Sequence, residues 1–219
     1  MRRKLFAEAL GTGLLLATVV GSGIMAAKLA GGNMALALLG NTLPTGAILV
    51  VLISIFAPVS GAHFNQLVSL SAWIHGRARL PEAAGYITAQ IFGAVAGVIL
   101  AHAMFDLPLL QASTTVRTGL SQWIAEAVAS FGLLTVIFLS VRNTPNQIAL
   151  NVGLYIAAAY WFTASTSFAN PAVTLARALS DTLAGIRPLD VFGFIIAQFI
   201  GALLALFVDR VVWQIDDRS

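Results

Sequence analysis

Apolar residues along this chain fall into long unbroken runs and do not alternate with polar ones. The runs cover roughly 5–28, 43–60, 83–104, 120–141, 147–166 and 189–212. A helix crosses a bilayer with about 20 mostly apolar residues. In lipid each backbone polar group needs a partner within its own segment, so each run is predicted as a spanning helix. The first run carries Glu8. It is too long for a signal peptide, and no small-residue cleavage site leads into a soluble domain. Two shorter segments behave differently. NQLVSLSAWIHG (65–76) and NPAVTLARALSD (170–181) each begin with Asn and run about a dozen residues, too short to span. Asn is a favoured helix N-cap, and Pro171 stands at the first helical position, where proline is favoured. Both segments are predicted as re-entrant half-helices with N-termini near the middle of the membrane.

The pattern repeats. LFAEALGTGLLLATVV in the first run matches WIAEAVASFGLLTVIFL in the fourth, pairing Glu8 with Glu126 inside Ala-Glu-Ala frames. YITAQIFGAVAGVIL in the third matches FIIAQFIGALLALFV in the sixth, pairing Gln90 with Gln198 and Gly93 with Gly201. Between these landmarks lie GAHFNQLVSL and SFANPAVTL. One domain over 1–219 is therefore expected, with repeats of about 4–108 and 119–213. Each repeat holds three spans and one half-helix. Three is odd, so the second repeat enters from the opposite side and the two are inverted. The fold class expected is all-α membrane protein, six transmembrane helices plus two half-helices whose tips meet.

Composition narrows the class. The chain is 58% hydrophobic and 10% charged, far from an ordinary soluble domain at roughly 25% charged. It has no Cys, which excludes disulfide frameworks and thiolate chemistry. The formal net charge of +3 is too small and too scattered for nucleic-acid binding. Placing the N-terminus in the cytoplasm puts Arg2, Arg3, Lys4, Arg77, Arg79, Arg142, Arg210 and Arg218 inside and Lys28, Arg117, Arg177 and Arg187 outside. That excess favours both termini cytoplasmic.

Candidate chemistry is sparse. No His, Asp and Glu set has metal-ligand spacing, and neither a catalytic constellation nor a phosphate-cradling loop is visible. No cofactor, metal or enzyme activity is expected. Two helix N-termini aimed at one point concentrate positive potential there, which opposes cations and protons, while Asn65 and Asn170 can donate hydrogen bonds to a neutral solute. Glu8 and Glu126 have two readings: a proton relay, or carboxylates that anchor the loop backbone beside each half-helix. The second suits their symmetric placement better. His63 reads as an anchor or a pore-lining imidazole; the other reading is a pH gate. His75 and His102 read as interfacial residues.

AEALGTGLLL, SGAHFNQLVSL, the Ala-Gln pairs with Gly three residues on, and SFANPAVTLARAL together resemble the major intrinsic protein family, the aquaporins and aquaglyceroporins. The resemblance covers roughly 4–213. It implies a homotetramer of six-span protomers in an inner or plasma membrane, each with its own pore for small neutral solutes, in contact with membrane lipid. It also implies a pore midpoint at Asn65, Gln66 and Leu67 and at Asn170, Pro171 and Ala172. The second triplet matches the family's Asn-Pro-Ala motif; the first departs from it at Gln66 and Leu67. Gln is acceptable in a helix, so the half-helix is expected to survive. Leu67 is bulkier than Ala and is expected to shift the pore centre or the half-helix contact. Counting from the two Asn residues, the family's outer selectivity filter falls on Thr45, Ala158, Ser167 and Val173. The usual Arg is Val173 here, and none of the four carries a ring or a charge, so a wide filter is implied.

Arg177, one turn beyond Val173, reads either as a displaced charge at the outer mouth or as a side chain that snorkels to the interface or pairs with Asp181. The second motif and its downstream segment resemble a bacterial branch associated with arsenic resistance. That branch implies passage of arsenite-like hydroxides or methylated arsenicals beside glycerol and water. Alternatives are an ion-coupled secondary transporter using Glu8 and Glu126, and a poorly conducting structural member of the family.

Overall fold

The computed structural model describes residues 1–213; Arg218, counted above on the inner side, lies outside them. Eight α-helices follow in order: α1 (Arg2–Leu29), α2 (Met34–Ser60), α3 (Gln66–Ile74), α4 (Leu80–Met104), α5 (Leu120–Asn143), α6 (Ile148–Phe162), α7 (Pro171–Arg177) and α8 (Val191–Val208). Short 3₁₀ turns precede α6 and α8, and a π-helical turn at Asp209–Trp213 follows α8. No strand occurs among the described residues.

Six helices form the wall, and α3 and α7 are the two half-helices. Five of the wall helices are long and apolar enough to cross a membrane. The sixth, α6, has 15 residues, about 22 Å at the α-helical rise. The second run begins earlier than expected, at Met34, because Asn33 caps α2 by accepting from the Ala35 and Leu36 amides. Asn41, just before the predicted run, donates across to the Val19 carbonyl at 2.8 Å and Ser22 Oγ at 2.9 Å. Pro44 lies within the helix, as proline in spanning helices can when neighbours supply other partners.

The two repeats pack alike. α1 lies against α4 and α5 against α8, and α2 meets α6 across the repeat boundary. Glycines permit these approaches. A Cβ at Gly93 would run into the Ala9 carbonyl, at Gly97 into the Gly13 carbonyl, and at Gly201 into the Ala127 carbonyl. Gly46 and Gly153 bring α2 onto α6 in the same way. The half-helices are shorter than the segments read from the sequence, and they meet at their N-termini.

Candidate functional site

Each half-helix begins at an asparagine in extended conformation, Asn65 at φ −151° and Asn170 at φ −159°. The Asn65 side-chain oxygen accepts from the Leu67 amide, and that of Asn170 from the Ala172 and Val173 amides. The remaining amide groups tie the halves together: Asn65 Nδ2 donates to the Ala169 carbonyl and Asn170 Nδ2 to the Phe64 carbonyl, both at 2.8 Å. The loops entering the half-helices are forced into the left-handed region at Ala62 and Phe64 and again at Ser167 and Ala169. That conformation is costly for residues with a Cβ and persists only when neighbours over-determine it.

The buried carboxylates supply that determination. Glu8 accepts from Ser60 Oγ, the His63 and Phe64 amides and Gln90 Nε2 at 2.7–2.9 Å. Glu126 accepts from the Phe168 and Ala169 amides and Gln198 Nε2 at 2.6–2.9 Å. Gln90 also donates to Ser69 Oγ, and Gln198 to Thr174 Oγ1, each four residues after its Asn. Both glutamates are 0% exposed, and neither lines the cavity described next. The geometry is that of anchors for a non-helical backbone.

A cavity of about 770 Å³ runs beside the meeting point. One end is lined by Lys4, Arg77, Glu82 and His75; the other reaches Thr45, Tyr160, Ser167, Val173 and Arg177, with Asn65 and Asn170 between. Leu15, Val19, Leu49, Ile53, Val152 and Ile156 give much of the wall its apolar surface. His63 lines it as well; its ring is hydrogen-bonded to Ser69 Oγ at 3.1 Å and packs edge-on against Tyr86.

Several expectations need correction. Of the six midpoint residues, only Asn65 and Asn170 face the cavity. Gln66, Pro171 and Ala172 are buried behind it. Leu67 packs against Leu134, Phe138, Ala202 and Ala205, so its bulk fills the α5–α8 side and does not shift the pore centre. Ala158 is exposed and absent from the cavity wall, whereas Val152, Ile156 and Tyr160 line it. Residues four apart share a helix face; residue 158 falls on the other side. The end bearing Thr45, Ser167 and Val173 therefore carries a ring, Tyr160, where none was expected.

Arg177 neither snorkels nor pairs with Asp181. It is 1% exposed, its Nε donates to the Ala184 carbonyl, and its guanidinium lies 3.4 Å from the Phe168 ring centroid. Asp181 instead accepts from the Thr114 amide and hydroxyl. His102 is fully buried and bridges the Leu109 carbonyl and Ser180 Oγ. His75 meets Asp209 at 3.1 Å, beside Arg142. Sequence reasoning missed Tyr160 and Phe168 at the end that carries Val173; the fourfold spacing of Val152, Ile156 and Tyr160 was the available signal for the first.

Five helices of membrane-crossing length, a shorter sixth, two half-helices joined at capped asparagines and a cavity beside them define an integral membrane channel of the aquaporin architecture. A family model described as "Major intrinsic protein" matches residues 1–147, and the chain belongs to that family. It is 56% identical over 214 residues to "Aquaglyceroporin AqpS" of Rhizobium meliloti (strain 1021), covering 98% of this chain and 91% of that protein. It is 29% identical over 228 residues to "Glycerol uptake facilitator protein-like 6" of Lactiplantibacillus plantarum, covering 98% of this chain and 100% of that protein. The crystal structure of the aquaglyceroporin from Plasmodium falciparum superposes with a TM-score of 0.76 at 20% identity, covering 100% of this chain and 99% of that one. Members of this family are channels, not enzymes.

Proposed function

We propose that this chain is a passive, aquaglyceroporin-type facilitator for small, mainly neutral solutes: glycerol-like polyols, water, and metalloid hydroxides such as arsenite or methylated arsenicals. The observation that carries the reading is the cavity passing both asparagines between two polar ends. Its wall gives a neutral solute apolar contact plus a few hydrogen-bonding groups, and the buried half-helix junction disfavours a cation. The names of the relatives, an aquaglyceroporin and a glycerol facilitator-like protein, agree with it. The metalloid part rests on the motif resemblance and on Val173 at the constriction. Thr45, Ser167 and Val173 form that constriction with Tyr160. The chain acts as a homotetramer in an inner or plasma membrane with both termini cytoplasmic.

Ion-coupled transport would need Glu8 or Glu126 to exchange protons with the path. Both are off the cavity and hold loop amides. The test is stopped-flow permeability of reconstituted vesicles to water, glycerol, urea and arsenite, with Val173→Arg alongside. The reading predicts passage of water and the larger solutes by the wild type, and in the variant a loss that falls far more heavily on the largest solute than on water. Equal loss removes Val173 from the constriction. Intact, folded protein that passes none of the four would identify a structural member of the family.

A further inference from the structure

Arg177 raises a problem of charge. A buried ion without a counter-charge is expensive, and such groups are ordinarily paired or hydrogen-bonded. The Arg177 guanidinium is 1% exposed and lies on the cavity wall. No carboxylate pairs with it among the described residues. Its neighbours are neutral: the Phe168 ring, the Ala184 carbonyl and the Tyr160 hydroxyl. Glu126, the acid on that side, is already occupied by Phe168, Ala169 and Gln198. Arg117 adds charge of the same sign, 5.1 Å from the same ring centroid, with its guanidinium satisfied by the Gly185, Ser165 and Leu183 carbonyls.

Two further facts give this charge a direction. Helical side chains lean toward the helix N-terminus, so a long side chain four residues beyond Val173 reaches back toward the level of Val173. Nε is taken by the Ala184 carbonyl and the guanidinium also reaches the Tyr160 hydroxyl; the fork carries more N–H donors than these two bonds use.

We propose that Arg177 is the charge-selecting residue of the outer constriction, supplying from one turn further along α7 the positive field and the hydrogen-bond donors that Val173 lacks. The inference rests on the channel reading and deepens it. The solutes it favours present acceptor oxygens, as neutral hydroxides and polyols do; the species it rejects are cations. Val173 keeps the passage wide while the charge stands back from it, so width and cation exclusion are set by different residues.

The experiment uses the full chain in vesicles, with sodium and proton leak read by entrapped dyes and solute flux by stopped flow. Arg177→Gln should raise cation leak about tenfold or more while water still passes. Arg177→Lys keeps the charge but loses the fork, so it should stay cation-tight and pass glycerol more slowly. Arg177→Gln that conducts solute and remains as tight as wild type overturns the proposal. So does Arg177→Lys that leaks like Arg177→Gln, since the side chain would then act through packing. Should neither variant fold, Val173→Arg decides: a wild type already tight, with no further tightening in the variant, supports Arg177, whereas a leaky wild type sealed by Val173→Arg overturns it. A wild type that passes no solute at all refutes the channel reading itself.

Discussion

The glutamates show how much two buried side chains can determine. Glu126 holds the Phe168 and Ala169 amides just before Asn170, and Ala169 has a left-handed φ of 46°. Glu126→Gln replaces a charged acceptor and crowds two amide groups beside Gln198. It should lower stability by about 2–4 kcal/mol, read as thermal unfolding in detergent, without making flux depend on a proton gradient. A proton relay would give the reverse: a stable variant with altered coupling. Leu67→Ala should cost about 2–5 kcal/mol as a core truncation and leave glycerol permeability per folded protein unchanged, since Leu67 packs among Leu134, Phe138 and Ala202. The repeated Ala-Glu-Ala frames and the two Asn residues made the anchors legible in sequence. The facing of Ala158 was not legible, because an offset counted across the Thr163–Asn170 loop carries no information about which helix face reaches the cavity; that of Leu67 was not, because only packing against α5 and α8 sets the rotation of the half-helix. Nor can sequence decide whether an arginine near a helix end turns outward or folds over a ring such as Phe168.

At the scale of elements, the α1–α4 and α5–α8 contacts rest on backbone proximity. Gly93→Ala places a methyl group against the Ala9 carbonyl, where only a backbone shift makes room, whereas at Gly21 the nearest atom is a Phe105 ring carbon at 3.4 Å. Gly93→Ala should therefore lower the unfolding temperature clearly more than Gly21→Ala in side-by-side melts. The connection between α4 and α5 is fastened by Asp181, whose carboxyl is held below its ordinary 3.8 by the Thr114 amide and hydroxyl. A depressed pKa in the folded state means that this fastening is complete above the ordinary value and is lost as pH falls through the lowered one. Amide exchange at Thr114 should thus stay slow to below pH 3.8 and then accelerate, and Asp181→Asn should remove that dependence. The runs and the half-helices were readable as elements because length and Asn caps mark them. The start of α2 was hidden because the apolar run begins only after polar Asn41 and Thr42, and sequence does not show that α1 takes up the Asn41 amide while Thr42 bonds back to the Leu38 carbonyl.

At the scale of the whole molecule, inversion turns one sequence repeat into a path. Asn65 and Asn170 each bond the other's loop, so the two repeats close on each other at the point the cavity passes. The odd number of spans per repeat made that architecture deducible. The cavity itself was not, since its wall is assembled from faces of several helices and half-helices whose rotations only packing sets. Whether solute crosses this path passively is read from glycerol uptake by vesicles over a wide concentration range, with and without imposed proton and sodium gradients. Passive passage gives a rate that rises in proportion to concentration and ignores both gradients; a rate that saturates and follows either gradient rules it out.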